Sequence, residues 1–129
     1  MRWNTMRGDI PRVCALSDLL MAAALSDRKY EEDEWLVVAS TLMKVLGVAE
    51  LPPEVEDRMR GFDPDAHDLD ATLAAIRPES DKDRQDLLKV VAKVVLADHE
   101  VHADERTYID RVAGALGIDG AAVEALLTT

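Results

Sequence analysis

The sequence has few aromatic residues, a single cysteine and no long apolar run, and each shortage narrows the class of protein. Only 4% of its 129 residues are aromatic, whereas Ala, Leu and Val abound, a balance that favours helices over sheets. One cysteine, Cys14, excludes an internal disulfide framework, so a reducing cytoplasm is the simplest expected location. No apolar run approaches the roughly 20 residues of a membrane span, and the first ten residues lack the apolar centre of a secretory signal.

Positive charge is also scarce. The chain has 15 Lys and Arg against 26 Asp and Glu, a formal net charge of -11 at pH 7. Nucleic acids and anionic membrane surfaces are bound by clustered basic residues, so we expect neither nucleic-acid binding nor direct membrane insertion. Cations, and protein partners with a basic or an apolar surface, are better electrostatic matches.

Helix signals divide the chain in a regular way. A length of 129 residues fits one domain, and we expect a flexible N-terminal arm over residues 1–10 and a single helical domain over residues 11–129. Apolar residues at spacings of three and four, prolines at helix starts and glycines after helix ends predict seven helices. Their predicted ranges are 11–26, 31–46, 53–60, 64–76, 81–97, 103–116 and 120–127.

An internal repeat organises these helices. Residues 18–47 and 88–117 share one plan: an apolar helix, an acidic connector, and an amphipathic helix that ends at Leu-Gly. In each copy an Asp stands seven residues before a Glu, and the likeness continues into the short helix that follows. The sequence therefore predicts an all-α bundle in which helices one to three and five to seven are related by a pseudo-twofold axis.

Four carboxylates form the candidate site. Asp27, Glu34, Asp98 and Glu105 continue the apolar stripes of their helices, so we expect them on the core side of the connectors. Carboxylates at the edge of a core are costly unless they are paired, hydrogen-bonded or bound to metal. About a twofold axis the four would converge, and calcium or magnesium takes oxygen ligands of this kind.

A structural role for the same carboxylates is the alternative. Both glutamates stand where a capping-box Glu reaches back to the N-cap N–H, and both aspartates can accept N–H groups within a turn. A true EF-hand is rejected, because Ala103 occupies the position of its required glycine and Ile109 that of its bidentate glutamate.

The histidines and the cysteine do not indicate a second functional site. His99 and His102 suggest zinc by their spacing, but without a third ligand or an HExxH motif we interpret them as exposed loop residues. His67, in a polar first turn, is interpreted as a surface residue, and Cys14 as core filler. A hydrolase with paired carboxylates would need a concave pocket and an acid of raised pKa, so we expect no enzymatic activity.

The second copy of the repeat, VVLADHEVHADERTYIDRVAGALGI, resembles the TerB family of tellurite-resistance proteins. The resemblance covers about residues 18–127. The family pattern usually has Gly after the Asp, where this chain has Arg28 and His99, a departure that affects the connectors rather than the helices. The resemblance implies a compact helical domain and an acidic motif on the four carboxylates, and no enzymatic activity follows from it. It also implies a role in stress resistance through metal-linked, membrane-associated complexes, and a similar domain accompanies a J-domain in a co-chaperone family.

These observations together predict a cytoplasmic stress-response domain that acts as a divalent-cation-responsive protein-interaction module. The alternative is a metal-independent structural adaptor or scaffold domain, in which the acidic connectors are helix caps.

The charge balance predicts that neither DNA nor RNA binds this protein at physiological ionic strength. Electrophoretic mobility shifts with duplex DNA and single-stranded RNA at about 0.15 M salt should show no complex, because the chain cannot release counterions through clustered basic residues. A distinct shifted band under those conditions would contradict the prediction.

Overall fold

The computed structural model describes residues 3–6, 8–25, 32–95 and 103–128, and all regular secondary structure within these ranges is helical. A one-turn segment, α1 (Trp3–Met6), precedes seven longer helices, which confirms the predicted all-α bundle. The longer helices are α2 (Ile10–Ala24), α3 (Glu32–Leu46), α4 (Pro53–Arg60), α5 (Leu69–Ile76), α6 (Asp81–Val95), α7 (Ala103–Leu116) and α8 (Gly120–Thr128).

Local capping explains where several helices begin. The Asp9 carboxylate accepts the backbone N–H of Arg12 at 3.3 Å and starts α2. Ser80 before α6 and Asp119 before α8 each accept the N–H three residues later, at 3.1 Å and 2.9 Å. Each side chain satisfies one of the amide donors that a helix start leaves unpaired, so these boundaries follow from nearby sequence.

The second long helix of each repeat copy, α3 in the first and α7 in the second, ends in the same way. Gly47 after α3 and Gly117 after α7 have φ of 68° and 75°, a left-handed conformation that glycine adopts without strain. After each glycine, the next N–H donates to the carbonyl oxygen five residues back, at 3.0 Å and 2.8 Å, as in a Schellman motif. The matching ends of α3 and α7 are consistent with the repeat in the sequence. The pseudo-twofold relation of the two halves stays a prediction.

The predicted helix over residues 64–76 was wrong at its start, since α5 begins only at Leu69. Asp63 instead closes a separate turn, in which its carboxylate accepts the N–H of Asp65 at 3.0 Å. Asp68 is the true cap of α5 and accepts the N–H three residues later at 3.1 Å. Asp63 and Asp68 can both cap this segment, and Asp68 starts the helix.

Helix α2 lies at the centre of the bundle. Eleven of its fifteen residues are buried, and it contacts every other helix from α1 to α7. A helix buried on nearly all sides must be apolar on nearly all sides, as the run from Leu19 to Ala24 is. Met6 of α1 is 1% exposed and Trp3 packs against the core, so part of the segment expected as an arm adds apolar surface to it.

Two arginines fasten the start of α2 to the end of α5. Arg12 Nε donates to the carbonyl oxygen of Ile76 at 2.9 Å, which satisfies an acceptor that the helix end leaves free. Arg77, the C-cap of α5 with φ of 58°, donates to the Asp9 carboxylate at 2.9 Å. The residue that caps α2 therefore also binds the residue that ends α5.

A salt bridge joins α2 to α4. Asp18 is 7% exposed, and its two carboxylate oxygens accept hydrogen bonds from Arg58 Nε at 3.1 Å and Nη2 at 2.7 Å. The Arg58 side chain is 58% exposed, whereas that of Asp18 is 10% exposed. The pair is therefore asymmetric: the carboxylate depends on its partner for solvation, and the guanidinium also reaches water.

This asymmetry predicts unequal effects of removing the two partners. Arg58→Met should lower the free energy of unfolding by about 2 kcal/mol, because it leaves a buried carboxylate unpaired. Asp18→Leu should cost far less, since Arg58 then extends into solvent, and the double variant should recover most of the loss. Urea unfolding measures all three variants.

Arg60→Met is the matched control, because Arg60 is exposed and its one ion pair within the described residues, with Glu56, spans 3.9 Å. Its effect should stay within about 0.5 kcal/mol. Equal destabilisation by Asp18→Leu and Arg58→Met would contradict the asymmetric pair.

Candidate functional site

The four carboxylates predicted from the sequence lie at the margin of what the structure describes. Asp27 and Asp98 fall outside the described residues. Glu34 and Glu105 belong to the first turns of α3 and α7, but their side chains also lie outside the described part. Within the described part, no three His, Cys, Asp or Glu residues are grouped to hold a metal. The metal site therefore stays a prediction. Also outside the described residues are His99 and His102.

A groove with a volume of about 1070 Å³ lies among α2, α3, α4, α7 and the loop between α4 and α5. That volume is at the upper end of small-molecule sites, which span roughly 300–1,000 Å³. Its wall includes Leu25, Trp35, His67, Thr107, Tyr108 and Arg111.

This groove borders the helices from which the acidic connectors extend. Leu25 is the last described residue before the first connector, and Trp35 follows Glu34 in α3. Thr107 stands two residues after Glu105 in α7. Three chain segments next to predicted acidic residues thus share one groove, although they are far apart in sequence.

Tyr108 fixes α7 against α2 at the base of the groove. Its hydroxyl donates to the backbone carbonyl oxygen of Leu19 at 3.3 Å, and the residue is 8% exposed. Burial raises the pKa of the Tyr108 hydroxyl, because the charged phenolate would lose its hydration. Tyr108 is therefore a positioning donor, and proton transfer at neutral pH does not suit it.

His67 is not the surface residue that the sequence suggested. It is half-buried, and its Nε2 is shielded from solvent without a hydrogen-bond partner. Its ring packs at 57° on that of Phe62, with centroids 5.7 Å apart. The prediction was wrong because α5 begins only at Leu69. Residue 67 therefore lies in the preceding loop, which lines the groove, and not on an exposed helical turn.

Burial also sets the charge of His67. Loss of hydration lowers its pKa from the ordinary 6.5, an effect opposed by Asp18 and Asp68 and reinforced by Arg111. The imidazole is therefore neutral at pH 7. A neutral imidazole can donate or accept at Nε2, according to its tautomer.

Trp35, another residue of the groove wall, has a second unpaired nitrogen. Its Nε1 is shielded from solvent and has no hydrogen-bond partner. Arg111, exposed at the groove edge, forms no ion pair with any residue of the described ranges. The sequence does not predict that Trp35, His67 and Arg111 line one groove. Its pattern places Trp35 in an apolar helical stripe and does not distinguish Arg111 from the other exposed charged residues.

Comparison with known proteins identifies a family similarity. The model of a family described as tellurite resistance protein TerB matches residues 13–127, a range that includes both acidic connectors and α2 to α7 in nearly their full length. No curated protein and no solved structure matches the chain. Among the described helices, none is long and apolar enough to cross a membrane.

The lowered pKa of His67 predicts a pH effect on stability. Above pH 6.5 both the folded and the unfolded forms hold a neutral imidazole. As pH falls below that value the unfolded form binds the proton first, so stability should decrease until the folded-state pKa is passed. His67→Gln removes this contribution and should flatten the loss of stability between about pH 7.5 and 5.

Chemical unfolding of both proteins across this range provides the measurement. His99 and His102 remain in both chains, so their own titration cancels in the difference. Parallel stability curves for the wild type and His67→Gln would show that His67 titrates alike in both states, contrary to the prediction.

Proposed function

This chain belongs to the TerB family of tellurite-resistance proteins, and from that membership we propose that it is a cytoplasmic stress-response domain that binds a divalent cation and a protein partner. In this proposal Asp27, Glu34, Asp98 and Glu105 supply oxygen ligands for calcium or magnesium. The domain binds and does not catalyse.

One observation supports the cation proposal above the others. Leu25, Trp35 and Thr107, each close in sequence to one of the four acidic residues, line one groove. The described chain on both sides of the first connector and after the second connector therefore lines one groove. Carboxylates brought together there repel unless a cation neutralises them, and hard cations bind such oxygen ligands.

The partner proposal rests on charge and on α3. Leu36 of α3 is 55% exposed, the one large hydrophobic side chain so exposed in the described part of the chain. It stands two residues after Glu34, so cation binding would change the charge beside it. A partner with a basic or an apolar surface suits this region and the net charge of -11.

The alternative, a metal-independent adaptor, also has an observation in its favour. Four described helices start with a side-chain cap, supplied by Asp9, Asp68, Ser80 and Asp119. Glutamates that cap α3 and α7 would extend the same device to two more helices. The acidic connectors would then stabilise the fold whether or not metal is present.

Thermal unfolding separates the two proposals. With free cation at ~100 times the dissociation constant, a ligand bound only by the folded state adds roughly 2.7 kcal/mol of stability. Asp98→Asn should abolish that gain at little cost to the metal-free protein, because it removes a repelling charge. Asp57→Asn, at an exposed position of α4, removes the same charge and should retain the gain.

Glu105→Ala tests the capping alternative. Loss of a cap should cost on the order of 1 kcal/mol with or without metal, whereas loss of a ligand matters only when metal is present. A melting temperature that calcium, magnesium, manganese and zinc all leave unchanged would end the cation proposal and leave the adaptor.

A further inference from the structure

We propose that the loop between α4 and α5, residues 61–68, is a pH-sensitive lid. Protonation of His67 releases this lid from the bundle and joins the two grooves that it separates, while the helices stay folded. The inference does not rest on the proposed function, because it uses none of the four acidic residues.

Two ring side chains attach the lid to the bundle. Phe62 and His67 are half-buried, whereas the other six residues of the lid are exposed. The hydrogen bonds of residues 61–68 stay within the lid or go to α4 and α5, and none joins the lid to another helix of the described ranges. A segment with so few buried contacts opens at a lower cost in free energy than the helices do.

The same two rings separate two grooves. The groove of about 1070 Å³ lies on one side, and a second groove of about 850 Å³ lies between the lid, α2 and α5. Among the described residues, Phe62 and His67 are the two that line both grooves. An open lid would leave one continuous groove along a single face of α2, on which the wall residues recur at spacings of three and four: Ile10, Cys14, Asp18, Ala22 and Leu25.

A protonated His67 does not fit the closed lid. An imidazolium donates from both ring nitrogens, but Nε2 of His67 is shielded from solvent and has no hydrogen-bond partner. A shielded charge without a partner is costly, so the new N–H must reach water. The Phe62 ring, whose centroid lies 5.7 Å from that of His67, loses its packing partner when His67 leaves. Proton binding is therefore coupled to opening of the lid.

The charged groups around His67 oppose one another. Loss of hydration is the largest effect and lowers the pKa of His67, Asp18 of α2 and Asp68 before α5 raise it, and Arg111 of α7 lowers it. None of these residues has a hydrogen bond to the ring in the described structure, so no partner for the imidazolium is in place. The other charged residues that line a groove with His67 are Arg58 and Arg60 of α4, Asp63 and Asp65 of the lid, and Asp70 of α5.

The direction of the pH dependence follows from burial. In the closed lid the pKa of His67 is below the ordinary 6.5, so the open form binds the proton first as pH falls. If the open form alone binds it, the ratio of open to closed molecules rises about tenfold from about pH 7.5 to 5.5. The rise ends where the closed form also binds the proton.

Phe62 provides the test, because it is the one phenylalanine of the chain and 4-fluorophenylalanine labelling gives a single ¹⁹F signal. In the metal-stripped full chain, ¹⁹F saturation transfer should show an open population that rises on the order of tenfold from about pH 7.5 to 5.5. The difference in ¹⁹F shift between H₂O and D₂O should grow, because the ring becomes exposed. Far-UV circular dichroism should stay constant, because the helices remain folded.

Variants at two positions complete the test. His67→Gln and His67→Phe both remove the titrating ring, so each should have an open population that does not change with pH. Either variant suffices if the other does not fold. Asp65→Asn, at an exposed position of the same lid, removes a carboxylate but keeps His67 and should respond as the wild type does.

Three results would overturn the proposal. They are a Phe62 signal that is the same at both pH values, a pH response that persists in either His67 variant, and loss of helical signal over the same pH range. Because the protein is free of metal, each of these results leaves the cation proposal untouched, and a failed metal titration leaves the lid untouched.

Discussion

The burial of α2 is the constraint on which the arrangement of the other helices depends. Its centre is buried but not wholly apolar, since it includes Ser17 and Asp18. The Ser17 hydroxyl donates to the Cys14 carbonyl oxygen at 2.7 Å within the helix, but Asp18 needs a partner from elsewhere. Arg58 supplies it, and the position of α4 relative to α2 is thereby restricted to one that brings Arg58 to the buried carboxylate.

The contacts that hold the other helices to α2 also position the walls of the groove. Arg12 and Arg77 hold α5 to α2, Arg58 holds α4, and Tyr108 holds α7 through the Leu19 carbonyl oxygen. The loop between α4 and α5 therefore connects two helices that are both held to α2. His67 lies in that loop, which is why an apparently polar residue packs on Phe62 beside the core.

Local sequence predicts most helix boundaries, but it does not predict which residues line the groove. Caps at Ser80 and Asp119 and the glycine ends at Gly47 and Gly117 act within a few residues, so spacing alone predicts them. The same reasoning failed where two aspartates competed before α5. Residues 35, 67 and 111 come from three distant segments of the chain. Local spacing and capping patterns contain no information that brings them together.

The acidic connectors and the groove wall belong to the same stretches of chain. Leu25 and Trp35 belong to the groove wall and also flank the first connector, which includes Asp27. A cation bound by the four carboxylates would therefore make the electrostatic potential at this wall more positive. Binding linkage is reciprocal, so a ligand of the groove wall that responds to this potential would change the affinity for the cation by the same factor.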